Sequence, residues 1–335
     1  MTKRDRVISA LSHKNTDIVP YDFGFTIGAH RRMVEYSGDS DYGHDMGQHI
    51  WQYQYWGWPT ELPDRNEHFL DVFGVIWDRS GADKDIGVIP DPPVKDIVND
   101  KYIAPSVNEE RLRKEMDELI ATKDDRFVFA GIGFSVFERI WSLCGMENVL
   151  VYMLTNPIEL EKLLETITEH NLRVISIMLE YDIDGIYFGD DWGQQKGMIM
   201  GPAHWRRFIK PQMKKMFELV KQAGKFAALH SCGDIGEIFP DLIEIGLDCY
   251  QTFQPEIYDI ERVKSEYGNN LSFWGGISTQ QLLPFATPEK TREETVRIMK
   301  VMGKNGGYIA APTHQVPFDV PVRNVIAMAE AFKAQ

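Results

Sequence analysis

From about residue 125 onward the chain alternates between two hydrophobic patterns. Short apolar runs end in glycine or polar residues: "RFVFAGIG" (126–133), "DGIYFGDD" (184–191), "KFAALHSC" (225–232), "LDCYQTFQP" (247–255), "NLSFWGG" (270–276) and "GGYIAAPTH" (306–314). Between them, apolar positions recur every three or four residues over 157–181, 202–224, 235–246, 259–268, 287–303 and 321–334. The runs predict buried strands and the longer stretches predict amphipathic helices. Gly224, Gly246, Gly268 and Gly303 stand where helices would stop, so each predicts a cap in the left-handed conformation.

Alternation of this kind predicts an α/β fold, a parallel sheet with helices outside. At least six such units fit after residue 125, and "DIVPYDFGF" (17–25) supplies an early strand. A (β/α)8 TIM barrel accommodates that count at 335 residues better than an open sheet does. Residues 39–120, with "HIWQYQYWGWPTELP", do not scan as clean units. They predict long loops and extra helices, an irregular N-terminal insertion over one barrel mouth. The expected organisation is one barrel domain over 1–335, regular only from 125.

Composition narrows the function classes. The chain is 43% hydrophobic and 26% charged, with a formal net charge of −14. That charge argues against nucleic acid and anionic membrane surfaces, which need clustered Lys and Arg. The first residues, "MTKRDRVISALSHKN", read as an amphipathic helix rather than a signal peptide. No stretch has the ~20 apolar residues of a membrane span. Three cysteines, Cys144, Cys232 and Cys249, do not form a disulfide framework, so a cytoplasmic protein is expected.

Polar candidates fall at predicted C-terminal strand ends, where barrel enzymes place their sites. His230 and Cys232 are two apart in an extended run, so their side chains point to one side. Imidazole and thiolate both bind zinc, at roughly 2.0–2.3 Å. Asp234 and Glu237 have capping-box spacing, and a helix start there would lower the pKa of the thiol. A buried cysteine beside a hydrogen-bonded histidine is the plainer alternative. His314, in the proline-rich "APTHQVPFDVP", is the best-placed third ligand. Asp190 and Asp191 offer paired carboxylates, one to cap a loop and one to face the cavity; a simple turn is the alternative. Trp192, Gln254 and Glu256 are further pocket candidates. The aromatic run containing Trp51 and Tyr55 reads as core by default and as an apolar substrate wall on the sharper reading.

The order of "LHSCGDI", "GLDCYQTFQPE", "FWGGIST" and "AAPTHQVPFDVPVRNVIAM" resembles the uroporphyrinogen decarboxylase superfamily. The likeness covers most of 120–335. It implies a (β/α)8 barrel and one of two chemistries: metal-free decarboxylation, or zinc-dependent methyl exchange with a corrinoid protein. The decarboxylase branch carries R-Q-A-G-R, and neither arginine is kept in the matching "FTIGAHRRM" (25–33), although Arg31 and Arg32 lie just beyond. The methyltransferase branch carries H-x-C and a distant cysteine; His230 and Cys232 match, and His314 replaces that cysteine. The resemblance therefore implies zinc on His230, Cys232 and His314, and a methyl donor that is probed best among methoxylated aromatics. Asp190 or Asp191 would orient the substrate or protonate the leaving oxygen, and a separate corrinoid protein would dock at the mouth. Two alternatives stay open: a metal-free lyase using Asp190 or Asp191, and a non-catalytic binder of aromatic ligands. A homodimer also stays open.

Overall fold

The computed structural model describes residues 1–40, 42, 46–81 and 86–335. Twelve strands occur among them. In chain order they are β1 (Ile50–Tyr55), β2 (Thr60–Leu62), β3 (Arg65–Leu70), β4 (Ile76–Asp78), β5 (Phe127–Ile132), β6 (Gly185–Gly189), β7 (Gly193–Gln194), β8 (Gly197–Met198), β9 (Phe226–His230), β10 (Cys249–Phe253), β11 (Ser272–Ile277) and β12 (Tyr308–Pro312). The seven-stranded sheet runs β1-β5-β6-β9-β10-β11-β12, with every neighbouring pair parallel.

The eighth stave is residues 20–25, which form isolated bridges rather than a continuous strand. Asp22 N donates to Ala310 O at 3.0 Å and Val316 N to Gly24 O at 2.8 Å, fastening this segment to the β12 side. Towards β1 the pairing is thinner, with His49 N donating to Tyr21 O at 2.9 Å. The arrangement is a TIM-barrel-like α/β fold.

Two packed layers follow from strand alternation. Ile50, Phe127, Phe129, Tyr187, Ala228, Cys249, Trp274 and Ile309 point inward and fill the barrel. The N-terminal helix Lys3–Leu11, fixed by a capping box between Thr2 and Asp5, adds Val7 and Leu11 to that inner cluster and closes its lower end. Outward residues pack under the surrounding helices, including Pro157–Met178 and Lys210–Gln222. No helix among the described residues is long and apolar enough to cross a membrane.

Two expectations need correction. The described residues of 39–120 are more regular than their pattern suggests: beside the expected extra helix, Glu109–Ala121, they hold barrel strand β1 and the antiparallel β2-β3-β4 sheet. Of the four helix-stopping glycines, Gly224 (φ 68°) and Gly246 (φ 99°) are left-handed. Gly268 and Gly303 are not, with φ of −64° and −73°. Their constraint is space, since a Cβ would lie 2.4 Å from Lys264 O or 2.6 Å from Met299 O.

Candidate metal centre and its cavity

Strand β9 ends at His230, and the chain stays extended through Cys232. Between them Ser231 faces the other way, where its Oγ accepts from Trp192 N at 2.9 Å. His230 and Cys232 therefore share a side, with Cys232 Sγ 3.5 Å from His230 Nε2. His314, in the loop after β12, meets them from across the barrel, and its ring centroid is 5.6 Å from that of His230. One donor atom from each of the three lies within 4.8 Å of the others.

The donor set fits a zinc ion. Zn–S of about 2.3 Å and Zn–N of about 2.0–2.1 Å at a tetrahedral angle separate sulfur from nitrogen by about 3.6 Å. The Sγ–Nε2 distance is close to that value. Gln251 Oε1 accepts from Tyr187 OH at 2.6 Å and also from His230 Nδ1. This leaves Nε2 as the nitrogen free to ligate, since metal-bound histidines usually make such an outer hydrogen bond through the other nitrogen. Enclosure in the cavity, then repulsion from His230, push the His314 pKa down to about 4, so its imidazole is neutral and able to ligate. Its open surface faces the cavity.

The thiol behaves differently from expectation. Burial, and then the nearby Asp191 carboxylate, raise the pKa of Cys232 well above the usual thiol range. No α-helix begins at Asp234: its Oδ1 accepts from Gly236 N at 3.0 Å, a 3-10 turn spans Gly236–Ile238, and the α-helix starts only at Phe239. The predicted capping box is absent, and with it the helix field on sulfur. A divalent cation is the group that would favour the thiolate here.

A cavity of about 910 Å³ opens above the inner core, and His230, His314 and Asp191 line it together with Trp51, Trp56, Trp77, Phe134, Tyr187 and Trp274. Asp191 sits at its metal end, with Oδ1 3.4 Å from His230 Nε2 and accepting from Cys232 N at 2.8 Å.

Several candidate residues lie outside the cavity, and of the two aspartates Asp190 takes the capping role while Asp191 faces the cavity. Asp190 is fully buried; it accepts from the backbone N–H of Val136, Phe137 and Glu138 and from Trp192 Nε1, at 3.3, 2.9, 2.8 and 2.7 Å. It caps the helix Phe137–Cys144, and no oxygen remains for substrate. Trp192 is buried against Trp205. Tyr55 points outward, its hydroxyl 3.2 Å from His170 Nε2. Gln254 Oε1 accepts from Gly233 N at 3.0 Å and so holds the ligand loop from behind. Glu256 accepts from Ser278 Oγ, away from the cavity.

Sequence reasoning missed Gln251, Glu138 and Asp22, all of which line the cavity. Gln251 was detectable, because it lies in the inward phase of β10 two residues after Cys249. Burial, then Asp191 and Asp190, hold the Glu138 carboxyl well above its ordinary pKa.

Comparison with known proteins bears on the fold and the family. A methyltransferase from Methanosarcina mazei has the same fold, with a TM-score of 0.74 at 18% identity over 100% of this chain and 99% of that one. A methylated-thiol–coenzyme M methyltransferase of Methanosarcina mazei is 22% identical over 222 residues, 65% of this chain and 56% of the relative's own length. A uroporphyrinogen decarboxylase of Chlorobium phaeobacteroides is 23% identical over 285 residues, 80% of this chain and 78% of the other. The uroporphyrinogen decarboxylase (URO-D) model matches residues 83–335, and the chain belongs to that family.

Proposed function

We propose that the chain is a methyltransferase that moves a methyl group from a small methylated substrate, a methoxylated aromatic foremost, to the cobalt of a corrinoid carried by a partner protein. The observation carrying this reading is the convergence of His230, Cys232 and His314 beside an aromatic-walled cavity. Zinc on these three residues would act as a Lewis acid towards the ether oxygen in an open coordination position. Gln251 orients His230, and the bond from Cys232 N to Asp191 fixes the ligand loop against β6. Asp191, beside His230 and Cys232, would orient the substrate or protonate the departing oxygen. Trp56 and Trp274 exclude water from the ring of the donor.

The names of the relatives support methyl transfer through one and decarboxylation through another. A metal-free lyase using Asp191 is therefore the second reading. The deciding experiment is metal quantification, followed by transfer to free cob(I)alamin from methoxylated aromatics, methylamines and methylated thiols. About one zinc per chain and methylation of cobalt by one donor class support the proposal. Decarboxylase activity surviving chelation, with no cobalt methylation, sinks it.

A further inference from the structure

Asp22 belongs to no ligand cluster, yet it is built into the same cavity. It lies in the eighth stave, between Tyr21 and Phe23, which both pack on Phe332. Its side chain faces the cavity and the residue is only 8% exposed. No ion pair to Asp22 occurs among the described residues. A backbone hydrogen bond from Phe23 and the attraction of Arg126 act on its carboxyl, but the Arg126 guanidinium is already bonded to Asp124 and lies 4.0 Å over the Trp51 ring. Arg79, the other cation on the lining, lies 4.6 Å over Phe69, and its Nε donates to Ile86 O.

Both arginines on the lining thus have partners other than Asp22. Of the carboxyls on the lining, Glu138 and Asp191 belong to the cluster around His230, and Asp22 stands apart from it. Burial lifts Asp22 to about 7, so this carboxyl gains from an incoming positive charge. Much of the remaining wall is aromatic, interleaved with glutamines, with Tyr187 and Trp274 centroids 5.5 Å apart and Trp56 and Phe134 5.4 Å apart. Aromatic faces attract organic cations and do nothing for carboxylates.

We propose that the methyl donor carries an organic ammonium group remote from the methyl being moved, and that this group seats against Asp22. The inference rests on the reading of the cavity as the methyl donor's pocket. The ammonium is a spectator, with no bond to it made or broken.

The test titrates three para-substituted anisoles of similar size into the full chain: one with an aminoethyl tail, one with an ethyl tail and one with a carboxyethyl tail. Calorimetry reads their binding, with and without bound zinc. The aminoethyl compound should bind at least tenfold tighter than the ethyl one and more tightly still than the carboxylate, zinc or no zinc. Asp22→Asn, nearly isosteric, should erase most of that preference while leaving the ethyl compound's affinity within about twofold. Equal binding of the three, tightest binding of the carboxylate, binding of none, or an undiminished preference in Asp22→Asn would overturn the proposal. Methyl transfer without a charge preference would sink this inference alone. A charge preference without methyl transfer would sink the proposed activity alone.

Discussion

Gln251 Oε1 accepts from His230 Nδ1, so the imidazole turns Nε2 toward Cys232 Sγ. The same oxygen holds Tyr187 OH, tying the ligand to the barrel's inner aromatic layer. Gln251→Ala is expected to weaken zinc binding by about 10- to 100-fold, the usual cost of removing an outer hydrogen bond from a metal-binding histidine. Competition with a chromophoric chelator measures it. Unchanged affinity would mean that Gln251 does not position the ligand.

The third ligand is testable by restoring a sulfur. His314→Cys should bind one zinc at least as tightly as the natural chain, because thiolate and imidazole are interchangeable donors for this ion. His314→Ala should lose tenfold or more in affinity. Metal analysis after dialysis reads both, and full occupancy in the alanine variant would remove His314 from the site.

Asp190 and Asp191 should separate cleanly. Asp190→Asn places an NH2 group against two N–H donors in a fully buried position, and should cost about 3 kcal/mol in denaturant unfolding while zinc stoichiometry is kept. Asp191→Asn retains an oxygen for Cys232 N and should unfold normally, yet lose turnover. The reverse pattern would exchange their roles.

Asp22 makes a pH prediction. Burial raises its pKa from 3.8 to about 7, so between these values the folded chain keeps a proton that the unfolded chain has lost. Stability from this group is therefore complete below about pH 4 and falls as pH rises, levelling above about 7, by up to about 4 kcal/mol. Unfolding of Asp22→Asn across the same range should show a flatter profile; parallel profiles would place the ionised carboxylate in the folded chain.

Most of the barrel was legible in the sequence because strands β5, β6, β9, β10, β11 and β12 are almost wholly buried and read as apolar runs. Strand β1 was not, since "IWQYQY" turns Gln52 and Gln54 into the cavity and Tyr53 and Tyr55 outward, inverting the usual polar-out order. Asp190 and Asp191 could be ranked only by strand phase: Tyr187 points inward, so Asp191 does and Asp190 does not. His230 and Cys232 stood out because two ligands sit on one strand end. Gln251 and Asp22 come from separate staves, and only the register that pairs Gln251 with His230 brings the first to its partner.

The loop that carries Cys232 also touches the β7-β8 hairpin through two glycines. A Cβ on Gly233 would meet Gly193 C at 2.2 Å, and one on Gly193 would meet Gly233 C at 2.6 Å. The two backbones are in direct contact, and the thickness of that contact sets how far the sulfur reaches into the barrel. Position 193 is thus a tuning screw for the candidate centre: a single methyl group there would shift the Cys232 sulfur, and any zinc held on it, without altering one of the three candidate ligands.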